Sequence, residues 1–373
     1  MKIKRILKNK ITKDLESKMV LIGGPRQVGK TTLAQSFITK PEQYLNWDDL
    51  NDRSILKKHQ INSNLKIVIL DEIHKYVKWR TLLKGLYDKY GDILKILVTG
   101  SAKLDHFRKG GDSLFGRFFY YRLHPLTLGE VDSTYSNQTI EKLLNFGGFP
   151  EPYIKEDKIF HRRWQRERLS RVVYQDLNDL SQVKEISLIE LLVDALPTRV
   201  GSMLSIKSLQ EDLEVSPNTV SNWIELLEKV YYCYRISPYG APKIKSIKKM
   251  QKLYLWDWSE IKDIGSKVEN FVASHLLKYC HYLEDVEGAK MELRYIRDIQ
   301  GREVDFVVLR DGEPMFAVEC KSGDSSVSKS VYYFRDRLNI PKFYQVHFKE
   351  KTFSDGNITV LPFSDFCKLE NIN

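Results

Sequence analysis

Short apolar runs at residues 19–22, 66–70 and 93–98 stand out in a chain that otherwise mixes apolar and polar positions finely. Each is too short for a buried helix and ends in glycine, threonine or acidic residues. That pattern predicts central strands covered on both faces of a parallel sheet. Runs at 44–47 and 118–123 supply two more strands, and helix-period stretches at 32–37 and 73–90 supply crossovers. The basic first 15 residues read as a short amphipathic helix leading into the first strand.

Further along, Trp164, Leu169, Val172, Val173 and Leu177 recur at roughly helical spacing within 160–180, which predicts one buried stripe. Arg162, Arg163, Arg166, Arg168 and Arg171 crowd the rest of that helix. They either lie on phosphates, reach a nucleotide, or form a solvated face. Residues 206–236 have a helix-turn-helix cadence. A helix spans 206–213, Ser216 is an N-cap followed by Pro217, and a second helix at 219–229 turns Val220, Ile224 and Leu227 inward. An aromatic strand at 230–236 then begins a wing. The second helix exposes Asn218 and Asn222, which suit base contacts, but also carries Glu225 and Glu228, which do not. Lys243, Lys245, Lys248, Lys249 and Lys252 follow closely, either as a phosphate-contacting wing or as a solvated loop.

The segment LIGGPRQVGKTT at 21–32 matches the pattern G-x-x-x-x-G-K-[ST] between a strand and a helix. Gly24, Pro25, Arg26, Gln27, Val28, Gly29, Lys30, Thr31 and Thr32 form the expected phosphate cradle. Its glycines let successive N–H groups turn toward phosphate oxygens at a helix N-terminus. Lys30 is expected to reach the β- and γ-phosphates of ATP, and the Thr31 hydroxyl to ligand Mg²⁺. The strand at 66–70 ends in Asp71 and Glu72, where an open α/β sheet places its ligand. Asp71 is expected in the Mg²⁺ shell and Glu72 as the base that polarises the attacking water. The strand at 93–98 ends in Thr99, Gly100 and Ser101; either hydroxyl suits a γ-phosphate sensor, with Ser101 favoured. Arg117 reads as an arginine finger, a sensor in cis, or a surface arginine beside a strand.

Residues 303–323 read EVDFVVLRDGEPMFAVECKSG. Asp305 opens one strand, an Asp311-Gly312 turn makes a hairpin, and a second strand carries Glu319 and Lys321 on one face. Two carboxylates and a lysine converging on one sheet face are suited to binding Mg²⁺ and activating water against a phosphodiester.

At 373 residues the chain is expected to hold two or three domains, and a formal charge of +10 favours an acidic partner such as DNA. The four cysteines are scattered without zinc-ligand spacing, and no apolar run approaches the ~20 residues that span a membrane. These features, with no continuous apolar secretory segment, lead us to expect a soluble cytoplasmic protein without a membrane partner.

Taken together, GGPRQVGKTT, ILDEIHK, VTGSA, FGRFFYYRLHPLTLGE and GGFPE resemble a large group of bacterial and archaeal AAA+-type ATPases with a C-terminal domain of the DUF4143 type. The resemblance covers essentially the whole chain. It implies a P-loop sheet of the AAA+-like α/β class at 1–130, a helical region at 131–200, a winged helix at 201–256 and a restriction-endonuclease-like α/β domain at 257–373. Asp48 fits an aspartate that recurs in the group near the second strand, with no role assigned. VECKSG resembles the PD-(D/E)xK nucleases, and by that resemblance Glu269, on the helix at 268–279, joins Asp305 and Glu319 as a metal ligand. The leading expectation is an ATPase coupled to nucleic acid with a nuclease module. The alternative is a nucleotide-controlled switch whose nuclease-like domain is inactive and binds a protein. ATPases of this type often complete their site with a neighbour's arginine, which leaves a homo-oligomer open.

Overall fold

The computed structural model describes residues 3–100, 114–177, 185–240, 250–323 and 326–372. The chain divides into two compact units, Met1–Pro125 and Leu126–Asn373. The favoured sensor Ser101 and the lysines at 243, 245, 248 and 249 lie outside the described residues.

The first unit begins with α1 (Leu7–Asp14) and is built on β1 (Met19–Gly23), β2 (Tyr44–Asn46), β3 (Ile67–Asp71), β4 (Lys95–Thr99) and β5 (Phe118–Arg122). All pairings are parallel, in the order β2-β3-β4-β1-β5. Every residue of β1 is buried, as expected for a strand covered on both faces. The crossover helices are α2 (Lys30–Gln35), α3 (Leu50–Lys57) and α4 (Trp79–Tyr90). The helical stretch expected at 73–90 is a short 3₁₀ turn, Ile73–Lys75, followed by α4. Leu82, Leu83 and Leu86 of α4 pack with Val68, Leu70, Ile96 and Val98 in one core cluster. Because β4 lies between β1 and β3, the carboxyl ends of these three strands stand side by side. Thr99 is in register with Ile22 on one side and Asp71 on the other.

The second unit opens with helices α5 (Leu128–Val131), α6 (Asn137–Phe146), α7 (Pro150–Lys155) and α8 (Lys158–Arg171). The long helix expected at 160–180 gives way after Arg171 to a π-helical turn, Val172–Asp176. Trp164, Val172, Val173 and Leu177 are buried as the pattern required. Arg168 does not join the exposed arginines: it is 4% exposed and bonds Glu260 at 2.7 Å. Next come α9 (Ile186–Ala195), α10 (Ile206–Leu213) and α11 (Pro217–Lys229). The Ser216 side chain accepts from the Thr219 amide, so the N-cap ahead of Pro217 is made.

An eight-stranded mixed sheet follows. Its strands are β6 (Cys233–Pro238), β7 (Lys252–Leu255), β8 (Met291–Arg297), β9 (Glu303–Arg310), β10 (Glu313–Cys320), β11 (Phe343–His347), β12 (Phe353–Asp355) and β13 (Ile358–Pro362). Their order is β12-β13-β11-β10-β9-β8-β6-β7. β9 and β10 are antiparallel across Asp311 and Gly312, at φ 53° and 90°. Positive φ at both central residues matches the right-handed twist of a two-residue hairpin. The helices α12 (Ile264–Glu287), α13 (Lys329–Arg335) and α14 (Phe363–Leu369) cover the sheet. No described helix is long and apolar enough to cross a membrane.

Candidate functional site

The phosphate loop leaves β1 at Gly23 and enters α2 at Lys30. Gly24 has φ +137°, and a Cβ there would stand 2.4 Å from the Leu123 carbonyl oxygen, so a side chain is excluded on two counts. Gly29 caps α2 at φ 96°. Gln27 also adopts a left-handed conformation, at φ 60°, an uncommon one for a residue with a side chain. The buried Lys30 ammonium donates to the carbonyls of Gly24 and Pro25 at 2.9 and 2.6 Å. Phosphate oxygens would offer this ammonium stronger acceptors than the two carbonyls do.

Asp71, at the end of β3, gathers the other half of the site. Its Oδ2 accepts from the hydroxyls of Thr31 at 2.9 Å and Tyr44 at 2.6 Å. Its Oδ1 accepts from the Thr99 hydroxyl and, at 3.1 Å, from the Glu72 amide. Burial followed by the Asp71 carboxylate raises the Tyr44 phenol, which stays a donor. Thr99 is fully buried in this bond, so it orients Asp71 and is not free to sense a phosphate. A hydroxyl and a carboxylate 2.9 Å apart are hard oxygen donors of the kind that would hold Mg²⁺.

Glu72 follows in a left-handed conformation, φ 54°, that turns its side chain out of the strand. Burial raises its carboxyl above the ordinary glutamate value, with Lys75 opposing. Lys75 Nζ stands 3.7 Å from Glu72 and ion-pairs with Asp48, which gives Asp48 its place as the outer anchor of that lysine. Arg117 corrects the reading as a sensor in cis. It precedes β5, whose Phe118 pairs with Met19 at the start of β1. A five-residue strand, about 16 Å of extended chain, separates it from the loop. Its guanidinium bonds Asp88 at 2.7 Å instead.

The second unit carries a separate cluster. Asp305 is the third residue of β9, its Oδ2 accepting from the Cys320 amide at 2.8 Å. Lys321 donates to Glu319 at 2.6 Å across the same end of the hairpin. Glu269 on α12 accepts from the Tyr254 hydroxyl at 2.7 Å and from Lys252 at 3.2 Å. Asp305, Glu319 and Glu269 thus sit in one charged neighbourhood. Burial first and the Asp305 carboxylate second raise Glu269 and Glu319 to about 7, with Lys252 or Lys321 opposing. Asp305 is raised by burial as well.

Lys252 overturns its reading as part of a phosphate-contacting wing. Its side chain is 2% exposed, pairs with Glu269 and Glu303, and stands 3.9 Å from Asp305. Burial alone would lower this lysine; the carboxylates of Glu269, Asp305 and Glu303 reverse that and raise it. Among the described residues, no group of three or more His, Cys, Asp and Glu could hold a metal ion.

Comparison with known families assigns these units. A model described as an AAA domain matches residues 16–132, and a domain of unknown function, DUF4143, matches 264–366. The chain carries an AAA domain and, toward its C-terminus, a DUF4143 domain. Between them, residues 137–259 match a further domain of unknown function, DUF8612. An uncharacterised Methanocaldococcus jannaschii protein is 26% identical, over 98% of this chain and 88% of its own length. An uncharacterised Mycobacterium tuberculosis protein is 23% identical, over 84% of this chain and 72% of its own. Among solved structures, the Aeropyrum pernix ORC1 protein in complex with DNA matches 73% of this chain and 93% of its own at 12% identity and a TM-score of 0.35.

In this AAA–DUF4143 chain the motifs PLTLGE and GGFPE take structural places within the second unit. Glu130 forms a buried 2.6 Å ion pair with Lys278 of α12, and the Leu128 amide donates to His275 Nε2 at 3.1 Å. Gly147, at φ +74°, lies so close to Asp257 that a Cβ would stand 2.7 Å from its Oδ1. Tyr44, Lys75 and Glu303 were missed as site residues by sequence reasoning, and Lys252 was placed in the wrong role. Tyr44 reaches Asp71, Lys75 reaches Asp48 and Glu303 reaches Lys252 across neighbouring strands and loops, which no local pattern marks.

Proposed function

We propose that the chain is a Mg²⁺-dependent ATP hydrolase whose turnover is coupled to nucleic-acid binding, with a C-terminal domain laid out like a PD-(D/E)xK core that binds without cutting. The Thr31–Asp71 contact carries the first part. It joins the end of the phosphate loop to the carboxyl end of β3, within reach of Lys30 and Glu72.

In this mechanism Lys30 exchanges its two loop carbonyls for the β- and γ-phosphate oxygens of ATP. Held by Thr31 and Asp71, Mg²⁺ would neutralise phosphate charge. Glu72 takes a proton from water as its oxygen attacks the γ-phosphorus, and the bond to the β-phosphate oxygen breaks, leaving ADP and phosphate. Asp48 and Lys75 hold the ground beside Glu72.

For nucleic acid, support comes from the +10 charge and from Arg162, Arg163 and Arg166, exposed together on α8. The test is phosphate release from ATP with and without DNA, alongside DNA binding measured across salt. The reading expects DNA-stimulated hydrolysis and a steep salt slope that shallows in an Arg162→Ala/Arg163→Ala/Arg166→Ala variant. Hydrolysis indifferent to DNA, with no salt-sensitive binding, would remove the nucleic-acid part and leave the ATPase.

A further inference from the structure

We propose that Lys252 is a built-in cation standing where a nuclease core of this layout would hold a divalent metal, so that the C-terminal domain recognises a ligand and cannot cleave it. This rests on reading the β9–β10 hairpin with α12 as such a core.

Lys252 is the residue around which the acidic groups are arranged. Its ammonium lies 3.2 Å from Glu269 Oε1 and 3.9 Å from Asp305 Oδ1, and it pairs with Glu303 Oε1. A divalent ion shared by Glu269 and Asp305 would need their oxygens at ~2.0–2.6 Å. The Lys252 ammonium, 3.2 and 3.9 Å from them, already takes that space. Taking a lysine out of water is costly unless carboxylates surround it, and these do. The charge that a metal would neutralise is therefore already neutralised from within the chain.

Other donors hold the same carboxylates. Tyr254 donates to Glu269 Oε1 at 2.7 Å, the Cys320 amide to Asp305 Oδ2 at 2.8 Å and Lys321 to Glu319 Oε1 at 2.6 Å. The backbone pins Lys252 in place. It begins β7, pairs across β6 with Ile236, and forms an antiparallel bridge with Met203. Gly201, at φ +75°, packs onto Glu269 so closely that a Cβ would stand 2.9 Å from Oε2. Withdrawing Lys252 would mean unpairing the start of that strand. The D…ExK signature stays intact throughout, because the residue that fills the hollow comes from outside it.

The test is Mn²⁺ binding, read by electron paramagnetic resonance, to the nucleotide-free full chain with Asp71→Asn added to silence the phosphate-loop site. The readout is the Mn²⁺ lost when Asp305→Asn is also introduced. With Lys252 present, none is expected. Lys252→Met should gain one Asp305-dependent Mn²⁺ per chain, and Lys252→Gln provides a polar alternative if the methionine variant does not fold. Asp305-dependent Mn²⁺ in the chain that keeps Lys252 would overturn the proposal while leaving the nuclease-like layout standing; this arm needs no Lys252 variant. A folded Lys252 variant that binds none would overturn the layout as well.

Discussion

Thr31 and Tyr44 donate to the same carboxylate oxygen of Asp71, at 2.9 and 2.6 Å. One belongs to the phosphate loop and the other to the second strand, so the orientation of Asp71 depends on both. With Thr99 and the Glu72 amide on its other oxygen, Asp71 has no rotational freedom left. A partner that fixes a metal-holding carboxylate affects affinity without touching the metal.

Tyr44→Phe keeps the ring and deletes only that hydroxyl. The Mg²⁺ concentration for half-maximal ATP hydrolysis should rise by about 10–100-fold, with ATP binding in the absence of metal unchanged. An unaltered Mg²⁺ dependence would mean that Tyr44 is structural only.

Lys30→Ala should abolish binding of a fluorescent ATP analogue. Glu72→Gln should retain binding and lose hydrolysis by about 10²–10⁴-fold. Because burial raises Glu72, activity in the parent protein should fall with acid at a higher pH than an ordinary glutamate would give. Full turnover by Glu72→Gln would reassign the base.

Glu130 and Lys278 form a buried pair, and removing one partner strands the other. Glu130→Leu should cost the second unit about 3–5 kcal/mol in urea unfolding. The double variant with Lys278→Met should recover much of that. A loss in the double variant equal to the sum of the singles would show that the two residues act independently.

His275 should make the second unit acid-sensitive. Burial lowers its imidazole to about 3 from 6.5, and both ring nitrogens are engaged, with Phe271 and the Leu128 amide. In the fold it stays neutral, while the unfolded chain takes up its proton below about 6.5. Its share of stability is complete above that value and is lost as pH falls toward 3, by about 1.4 kcal/mol per pH unit. The urea midpoint should lose this slope in His275→Gln; identical slopes in both proteins would rule His275 out as its source.

The five strands of the first unit, the phosphate loop and the carboxylate at the end of β3 are legible in the sequence itself. Apolar run length, glycine placement and chain order are local properties, and a parallel sheet with helical crossovers leaves few ways to connect them. The same holds for the Asp311-Gly312 hairpin and for the Ser216-Pro217 helix start, where backbone conformation follows from the residues themselves. Arg168 and Lys252 were misread, and Arg117 was left open, for a common reason. A charged residue looks the same in a sequence whether it faces water, lies at the far end of a strand or is buried among carboxylates. Only the strand register put Arg117 at the edge opposite the loop, and only the packing of α8 against Glu260 buried Arg168. Lys252 was decided by the pairing of β6 with both β7 and β8, which brings a lysine from one segment to carboxylates on two others, α12 and β9. What surrounds a charge is a tertiary fact, and in this protein it separates the site that fits a metal from the one that already holds its own cation.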